Sequence, residues 1–502
     1  MTLPKYLKNL DSFLAAIVGF IAIHIYTKYS GIGISPDSIM YASTARNIYE
    51  HGSLLTFNGS PLVFFPVFYP FFLSVVLFIS RIDTITAAPV INGILFGAVI
   101  FTSGYIISKF RSYSPVYKWL VLVALVLSPG LLEVYTYLWS ETLFILEIML
   151  FVLAYRNYML KHTLPSLLLL SVLVAISCIT RYAGVTLIGT GGLILLLDNQ
   201  LTIRKKINHI LIFGFVSISL LVANLIVNRL STGLSTGTRE PAITPLSKNF
   251  HYLGVVMCDW MGLPQSAYPY AITIACIVLF SLTVILIWKA YTKRINTIEN
   301  IVIMFAVFYG FFIPILATFS RFEPLNSRLL SPMLVCLLIA CTSWVPDLLT
   351  GLNLKKKLVY GIPFIILMLA FEHSIYATDY QRWDDENDYG VPGYTDDDWN
   401  KSQFIAFLKT HKDIYKPGIP KYSDADEAVY FFTGTTAKLL PHRYFTNTVS
   451  QFYGVKHYYL IWFNALNNPE LIGLKDIQQK EKLTKLYDFP EGAVYEYDAD
   501  NK

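Results

Sequence analysis

The chain has 502 residues, 54% hydrophobic and only 15% charged, against about 25% charged in a typical soluble domain, and its mean hydropathy is +0.50. The net charge of +5 comes from basic residues in short loops between apolar runs, which points to membrane topology and away from nucleic-acid binding. Cys178, Cys276, Cys336 and Cys341 fall in apolar runs, Cys258 reads as a loop residue and the C-terminal quarter has none, which excludes a disulfide-stapled module and a Cys/His metal site.

The N-terminus MTLPKYLKNLDS leads into an apolar run without a small-residue cleavage site, and reads as a retained first span, not a signal peptide. A helix needs about 20 mostly apolar residues to cross the hydrocarbon core. Candidates are 12–29, 62–80, 85–108, 116–138, 141–160, 165–180, 183–198, 208–228, 269–289, 300–319, 328–347 and 358–376. Segments 165–180 and 183–198 are short and divided by Thr180-Arg181-Tyr182, predicting two short helices that meet at a polar break.

Basic clusters occur at Lys5/Lys8, Lys109/Arg111/Lys118, Arg156/Lys161, Arg204/Lys205/Lys206, Lys289/Lys293/Arg294 and Lys355/Lys356/Lys357. They share one side, as the positive-inside rule requires, only if eleven segments cross and 62–80, with Pro66 and Pro70, lies along the outer interface. The expectation is an all-α polytopic bundle of about 11 spans plus juxtamembrane helices over residues 1–376, in the plasma (inner) membrane with a cytoplasmic N-terminus. The outer face then carries loop 30–84, the 139–141 turn, the Arg181 break, loop 229–268, loop 320–327 and the tail.

From 377 the composition turns polar, predicting a loop and then a small extracytoplasmic α/β domain over 377–502. In it NKSQFIAFLKTHKD reads as a helix, and KPGIPKYSD, AVYFFTG, HYYLIWFN and AVYEYD as short strands. No internal repeat is visible, and no P-loop, GxGxxG, HExxH or GxSxG element, so nucleotide-driven transport and standard hydrolase chemistry lack support. The acidic stretches Asp384–Asp388 and Asp396–Asp398 lack EF-hand spacing and read as solvated loops.

Ionisable residues at membrane depth are costly and mark functional sites by default. Asp37 follows Ser35 and Pro36, which suit an N-cap and a first helical position, so a well-capped surface helix accounts for it equally well. Tyr41 shares its face at i, i+4. Glu141 opens a span in WSETLF; it complements the helix dipole, and it can also face the same cleft as Asp37, the two acting as base and orienting partner. Arg181 in CITRYAGV needs either a buried acid, Glu147 or Glu141, or a phosphate. Arg328 opposes the dipole of its own helix in RFEPLNSRLLSPM, so either Glu323 or a phosphate must hold it, and a guanidinium fork suits phosphate. Arg321 is a weaker companion. Glu147 and His24 read as groups satisfied inside the bundle.

PDSIMYASTARNIYEHG, FFPVFYPFFL, WSETLF, TRYAG and NSRLLSPML stand in this order on one predicted face over roughly residues 10–345. In this the chain resembles the GT-C superfamily of membrane glycosyltransferases, in the branch of bacterial protein O-mannosyltransferase-like and aminoarabinose-transferase-like enzymes. The resemblance implies a GT-C bundle with an appended outer domain, and a polyprenyl-phosphate-linked sugar as donor. It implies a hydroxyl acceptor on a protein, lipopolysaccharide, wall polymer or glycolipid, with inversion at the sugar. It implies that Asp37 is the catalytic acid, that Glu141 is the second-loop acid near the site, and that Arg181 and Arg328 handle the lipid phosphate. With the residue reading above, Asp37 and Glu141 are the expected catalytic pair, and Tyr41, Arg181, Tyr182, Arg321 and Arg328 the expected substrate-binding residues. Many relatives have two adjacent acids in the first outer loop, whereas Asp37 is followed by Ser38; the expectation is therefore no cofactor and no metal. Two rival readings carry no covalent chemistry: a lipid or sugar transporter or flippase, which would be expected to show inverted repeats, and an assembly protein whose outer domain is the working part.

Overall fold

The computed structural model describes residues 9–321, 323–349, 352–466 and 468–500. Its membrane part runs α1 (Leu10–Tyr26), α2 (Pro36–His51), α3 (Phe68–Ser80), α4 (Thr84–Ile107), α5 (Pro115–Val126), α6 (Pro129–Tyr135), α7 (Glu141–Lys161), α8 (Leu164–Thr180), α9 (Val185–Leu197), α10 (Ile203–Thr232), α11 (Leu246–Trp260), α12 (Ala271–Tyr291), α13 (Ile298–Phe319), α14 (Ser327–Leu349) and α15 (Leu354–Tyr389). Among the described residues six helices are long and apolar enough to cross a membrane, or seven if the bent α5–α6 pair is one span. At 13 residues, α3 reaches only about 20 Å, too short for a hydrocarbon core of about 30 Å. α1 packs on α4, and the small residues of α4 let the backbones approach: a Cβ on Gly97 would lie 3.0 Å from the Ala16 carbonyl oxygen, and one on Gly104 would collide with Ser12.

Polar contacts sort the loops to two ends of this bundle. At one end the buried Lys118 donates to Asp11 at 2.7 Å, the Arg111 amide to Glu299, and Asn296 to Asp198, which also meets His162 at 2.9 Å. At the other end lie the starts of α2, α7 and α14 and the α8–α9 break. Apart from Lys5 and Lys8, which lie outside the described residues, the basic clusters belong to the first end.

Several local expectations are corrected. The 116–138 run is not one helix: it breaks before Pro129 and bends by 49°, because proline cannot donate to the preceding turn. Loop 229–268 contains α11, with Cys258 buried inside that helix. The polar stretch after 377 is no loop, since α15 continues through it to Tyr389 and ends only at Gly390. No proline or glycine interrupts residues 377–389, and an Arg382–Glu386 pair at i, i+4, 2.6 Å apart, supports the last turns. Asp384–Asp388 therefore lie on helix rather than loop.

The C-terminal domain begins with two short helices, α16 (Asp397–Asn400) and α17 (Gln403–Thr410). It continues with β1 (Lys421–Ser423), α18 (Asp426–Thr433), β2 (Lys438–Leu439), α19 (Thr446–Tyr453), β3 (His457–Phe463), α20 (Leu474–Gln478), β4 (Thr484–Phe489) and β5 (Gly492–Asp498). The sheet order is β2-β1-β3-β5-β4, parallel among the first three and antiparallel for β3–β5 and β4–β5. AVYFFTG, expected as a strand, lies in α18: its buried positions Ala428 and Val429 repeat with Ile405 and Leu408 of α17 as a helical interface, and Gly434 at φ +67° closes the helix.

Burial pushes the carboxyl of Asp424 up to about 7, and burial together with the like charge of Glu427 pushes that of Asp426 up to about 9. An unfolded Asp titrates near pH 4 (about 3.9), so the folded domain holds protons that the unfolded chain releases. These two groups stabilise the fold at low pH, and their contribution is lost progressively from about pH 4, with the loss complete by about 7 for Asp424 and about 9 for Asp426. Thermal unfolding of the full chain is expected to show this domain melting at lower temperature at pH 9 than at pH 5, with Asp426→Asn flattening the dependence. A flat profile in the unsubstituted protein removes this account.

Candidate functional site

The approach to Asp37 is tightly clamped. The Gly33 amide donates to Thr136 O at 2.8 Å, and the Leu138 amide returns a bond to Gly33 O. On the other flank the Tyr394 amide donates to Ile34 O at 2.9 Å and Thr395 Oγ1 to Ile32 O at 2.9 Å. A Cβ at Gly33 would meet Val391 at 2.7 Å and the Tyr137 ring at 2.8 Å, so only glycine fits between these two segments. Ser38 Oγ then accepts the Ser35 amide at 3.1 Å and starts α2 with Pro36 at its first position. The capping prediction holds, and the cap aims Asp37 at the same end of the bundle as Glu141.

Glu141 is the first residue of α7 and has no exposed surface. Its Oε1 accepts Arg328 Nε at 2.7 Å, and its Oε2 pairs with Arg181 Nη1. Arg181 also donates to Ser140 Oγ at 3.1 Å, and Tyr41 Oη lies 3.2 Å from the same hydroxyl. Arg328 reaches past Glu141 to pair through Nη2 with Asp37, and its guanidinium lies 4.1 Å over the Trp139 ring. The result is an alternating chain, Asp37–Arg328–Glu141–Arg181, of two acids and two bases. Burial makes each bond depend on its neighbours, because an unpaired charge here would be strongly penalised.

These contacts decide the open alternatives. The acid beside Arg181 is Glu141; Glu147 instead accepts from Thr180 Oγ1 at 2.7 Å. The acids beside Arg328 are Asp37 and Glu141, and Glu323 sits exposed at the cavity wall without pairing to it.

Asp37, Tyr41, Arg181, Tyr182, Arg321 and Arg328 all line one cavity of about 530 Å³, a size that suits a small polar headgroup. Glu141 is a correction: expected to face the cleft, it lies behind the wall, where the two arginines cover both its oxygens. It positions the arginines and does not touch the cavity. Phe64, Phe65 and Tyr309 add aromatic walls. Ser140, Tyr309 and Arg239 are lining residues that sequence reasoning missed; a serine, a tyrosine in a span and an isolated arginine in a loop carry no pattern of their own.

Arg321 also faces a second cluster. It pairs with Glu470 and lies 3.9 Å from Glu240, while His442 Nδ1 lies 2.6 Å from Glu240 Oε1. Glu240, His442 and Glu470 offer three ligand atoms within 4.8 Å of one another. A cation held there would share these carboxylates with the Arg321 guanidinium, which already answers part of their charge.

This bundle, with its small appended sheet, shares its fold with several solved structures. ArnT from Cupriavidus metallidurans in the apo state superposes with a TM-score of 0.60 at 10% identity over 98% of each chain. The same protein bound to undecaprenyl phosphate gives 0.55 at 12% identity over 97% of each chain. The archaeal oligosaccharyltransferase AglB from Archaeoglobus fulgidus, in complex with an inhibitory peptide and a dolichol-phosphate, gives 0.52 at 10% identity over 92% of this chain and 70% of that one. The likeness is one of fold. No family model and no curated protein sequence matches the chain.

Proposed function

We propose that the protein is a membrane glycosyltransferase that moves a sugar from a polyprenyl-phosphate carrier to an acceptor hydroxyl at the outer face of the membrane, with inversion. The observation that carries this reading is the Asp37–Arg328–Glu141–Arg181 array at the wall of a single cavity. Two structures of the same fold bind undecaprenyl phosphate and dolichol-phosphate, which supports a lipid phosphate as the carrier.

The chemistry follows from the array. The acceptor oxygen attacks the anomeric carbon, the bond from that carbon to the phosphate oxygen breaks, and its electron pair leaves with the polyprenyl phosphate. The acceptor proton passes to Asp37, whose second task is to share Arg328. An arriving phosphate competes with Asp37 for the Arg328 fork, so donor binding itself frees the carboxylate to act as base. Charge developing on the departing phosphate meets guanidinium donors already in place, the kind of stabilisation worth most in a water-poor site. Holding the acceptor hydroxyl against the anomeric carbon supplies much of the rest.

In this reading the crossing segments are α1, α4, the α5–α6 pair, α7, α8, α9, α10, α12, α13, α14 and α15. α3 then lies along the interface, and the C-terminal domain stands outside. The meeting of residues from the starts of α2, α7 and α14 and from the α8–α9 break supports this parity, since one added crossing at α3 would send them to opposite leaflets. Lipid tails would enter between spans, which is why the cavity sits at the bilayer boundary.

The test is turnover of the purified full chain in lipid nanodiscs with a panel of polyprenyl-phosphate pentoses and hexoses. The expected result is release of polyprenyl phosphate together with a glycosylated product of inverted anomeric configuration. Retention of configuration removes the single-displacement mechanism, and translocation of the intact lipid-linked sugar without bond cleavage would favour a flippase.

A further inference from the structure

Four arginines line the cavity: Arg181, Arg239, Arg321 and Arg328. Three of them are committed, Arg181 to Glu141, Arg328 to Asp37 and Glu141, and Arg321 to Glu470. Arg239 differs. Among the described residues its hydrogen bonds go to two neutral acceptors at long range, Thr236 Oγ1 at 3.5 Å from Nε and Phe64 O at 3.4 Å from Nη2. Among the described residues no carboxylate pairs with it. A guanidinium carries five donors in a fixed fork, so two long hydrogen bonds to the described residues leave most of this one's donors unused.

The backbone around it is built to hold that position. Gly237 takes φ +72° and lies so close to Phe64 that a Cβ would sit 2.9 Å from its ring. A larger residue there would meet both the wrong backbone region and the aromatic wall. One residue beyond Arg239, Glu240 turns away to the C-terminal domain. Its side chain is almost fully buried and bonds His442, and its carbonyl accepts the Arg321 amide at 3.3 Å. The loop is therefore pinned on one side by Phe64 and on the other by a clasp reaching into the C-terminal domain.

We infer that Arg239 is the cation that first receives the phosphate of the donor, and that the C-terminal domain holds it in place through the Glu240–His442 clasp. The inference rests on the proposed use of a polyprenyl-phosphate donor, and it gives the appended domain a task in donor binding. The ligand class is a phosphate ester on a prenyl chain. Its charge complements an arginine that no carboxylate pairs with among the described residues, and a bidentate guanidinium–phosphate contact forms without first breaking an existing ion pair.

The test is equilibrium binding of undecaprenyl phosphate, and of neutral undecaprenol, to the full chain in nanodiscs. Arg239→Ala is expected to weaken undecaprenyl phosphate about 10- to 100-fold, the range of a charge-assisted bond of about 1.5–3 kcal/mol, while leaving undecaprenol and the melting temperature unchanged. Glu240→Gln and His442→Ala are each expected to weaken the phosphate ligand several-fold, and to add no further loss in the Arg239→Ala background, because they act through that residue. Additive losses overturn the clasp. Unchanged phosphate affinity in Arg239→Ala overturns the assignment of Arg239 while the donor reading stands. Failure of the unsubstituted protein to prefer the phosphate over the alcohol overturns both.

Discussion

Replacing Asp37 with asparagine is expected to lower sugar transfer by about 10²- to 10⁴-fold, the usual contribution of a positioned general base. The amide keeps the shape of the side chain and leaves an oxygen for Arg328, so the helix start and the bundle are preserved. Arg328 loses a charged competitor, however, because the partner it holds through Nη2 becomes neutral. Undecaprenyl phosphate should therefore bind Asp37→Asn at least as tightly as the unsubstituted protein. This split, turnover lost with donor affinity kept or raised, separates a base from a residue that merely shapes the cavity. Binding titration and single-turnover transfer on the same preparation read it. Wild-type turnover in Asp37→Asn would end the base assignment, and a parallel loss of affinity would make Asp37 a structural group.

Glu141→Ala is expected to have the largest effect on stability of any change at the site. The carboxylate has no exposed surface and is the only acid shared by Arg181 and Arg328 among the described residues. Removing one partner of a buried charge pair costs about 3–5 kcal/mol, because the charge left behind is neither paired nor hydrated. Here one of the two arginines keeps an acid, since Arg328 still has Asp37. Among the described residues Arg181 then keeps only its hydrogen bond to Ser140. Glu141→Gln retains acceptor oxygens without the charge and should lie between the two. Thermal unfolding in nanodiscs should rank the proteins wild type above Glu141→Gln above Glu141→Ala. Equal melting temperatures would show that the array is hydrated and that its ion pairs contribute little. Activity should fall with stability, since a tilted Arg328 no longer presents its fork at the cavity wall.

Hydropathy and charge made much of this arrangement legible. Most of the apolar runs gave helices to within about five residues, 62–80, 116–138 and 358–376 excepted, because a span must bury its length in hydrocarbon whatever its neighbours are. Basic clusters predicted that the starts of α2, α7 and α14 and the Arg181 break would share one face, and those residues do converge. The errors have local causes. Helix α15 outlasted its apolar stretch because charged residues at i, i+4 continue a helix as well as leucines do. AVYFFTG carries β-favouring residues, yet packing against α17 made it helical, a case of tertiary contact overriding propensity.

What the amino-acid order determined by itself is that most of the chain is apolar helix, and which charged residues stand at the ends of its apolar runs. These are properties of short stretches of chain, set by transfer of side chains and backbone from water. Which charges meet was decided only by the folded bundle. Asp37 and Arg328 are 291 positions apart, and Glu141 and Arg328 are 187 apart. No local rule couples such positions; their distance depends on how the helices between them pack. The same packing moved Glu141 behind the cavity wall and left Arg239 in front of it with no acid among the described residues, because a buried charge must find its partner among whatever side chains the fold brings within reach.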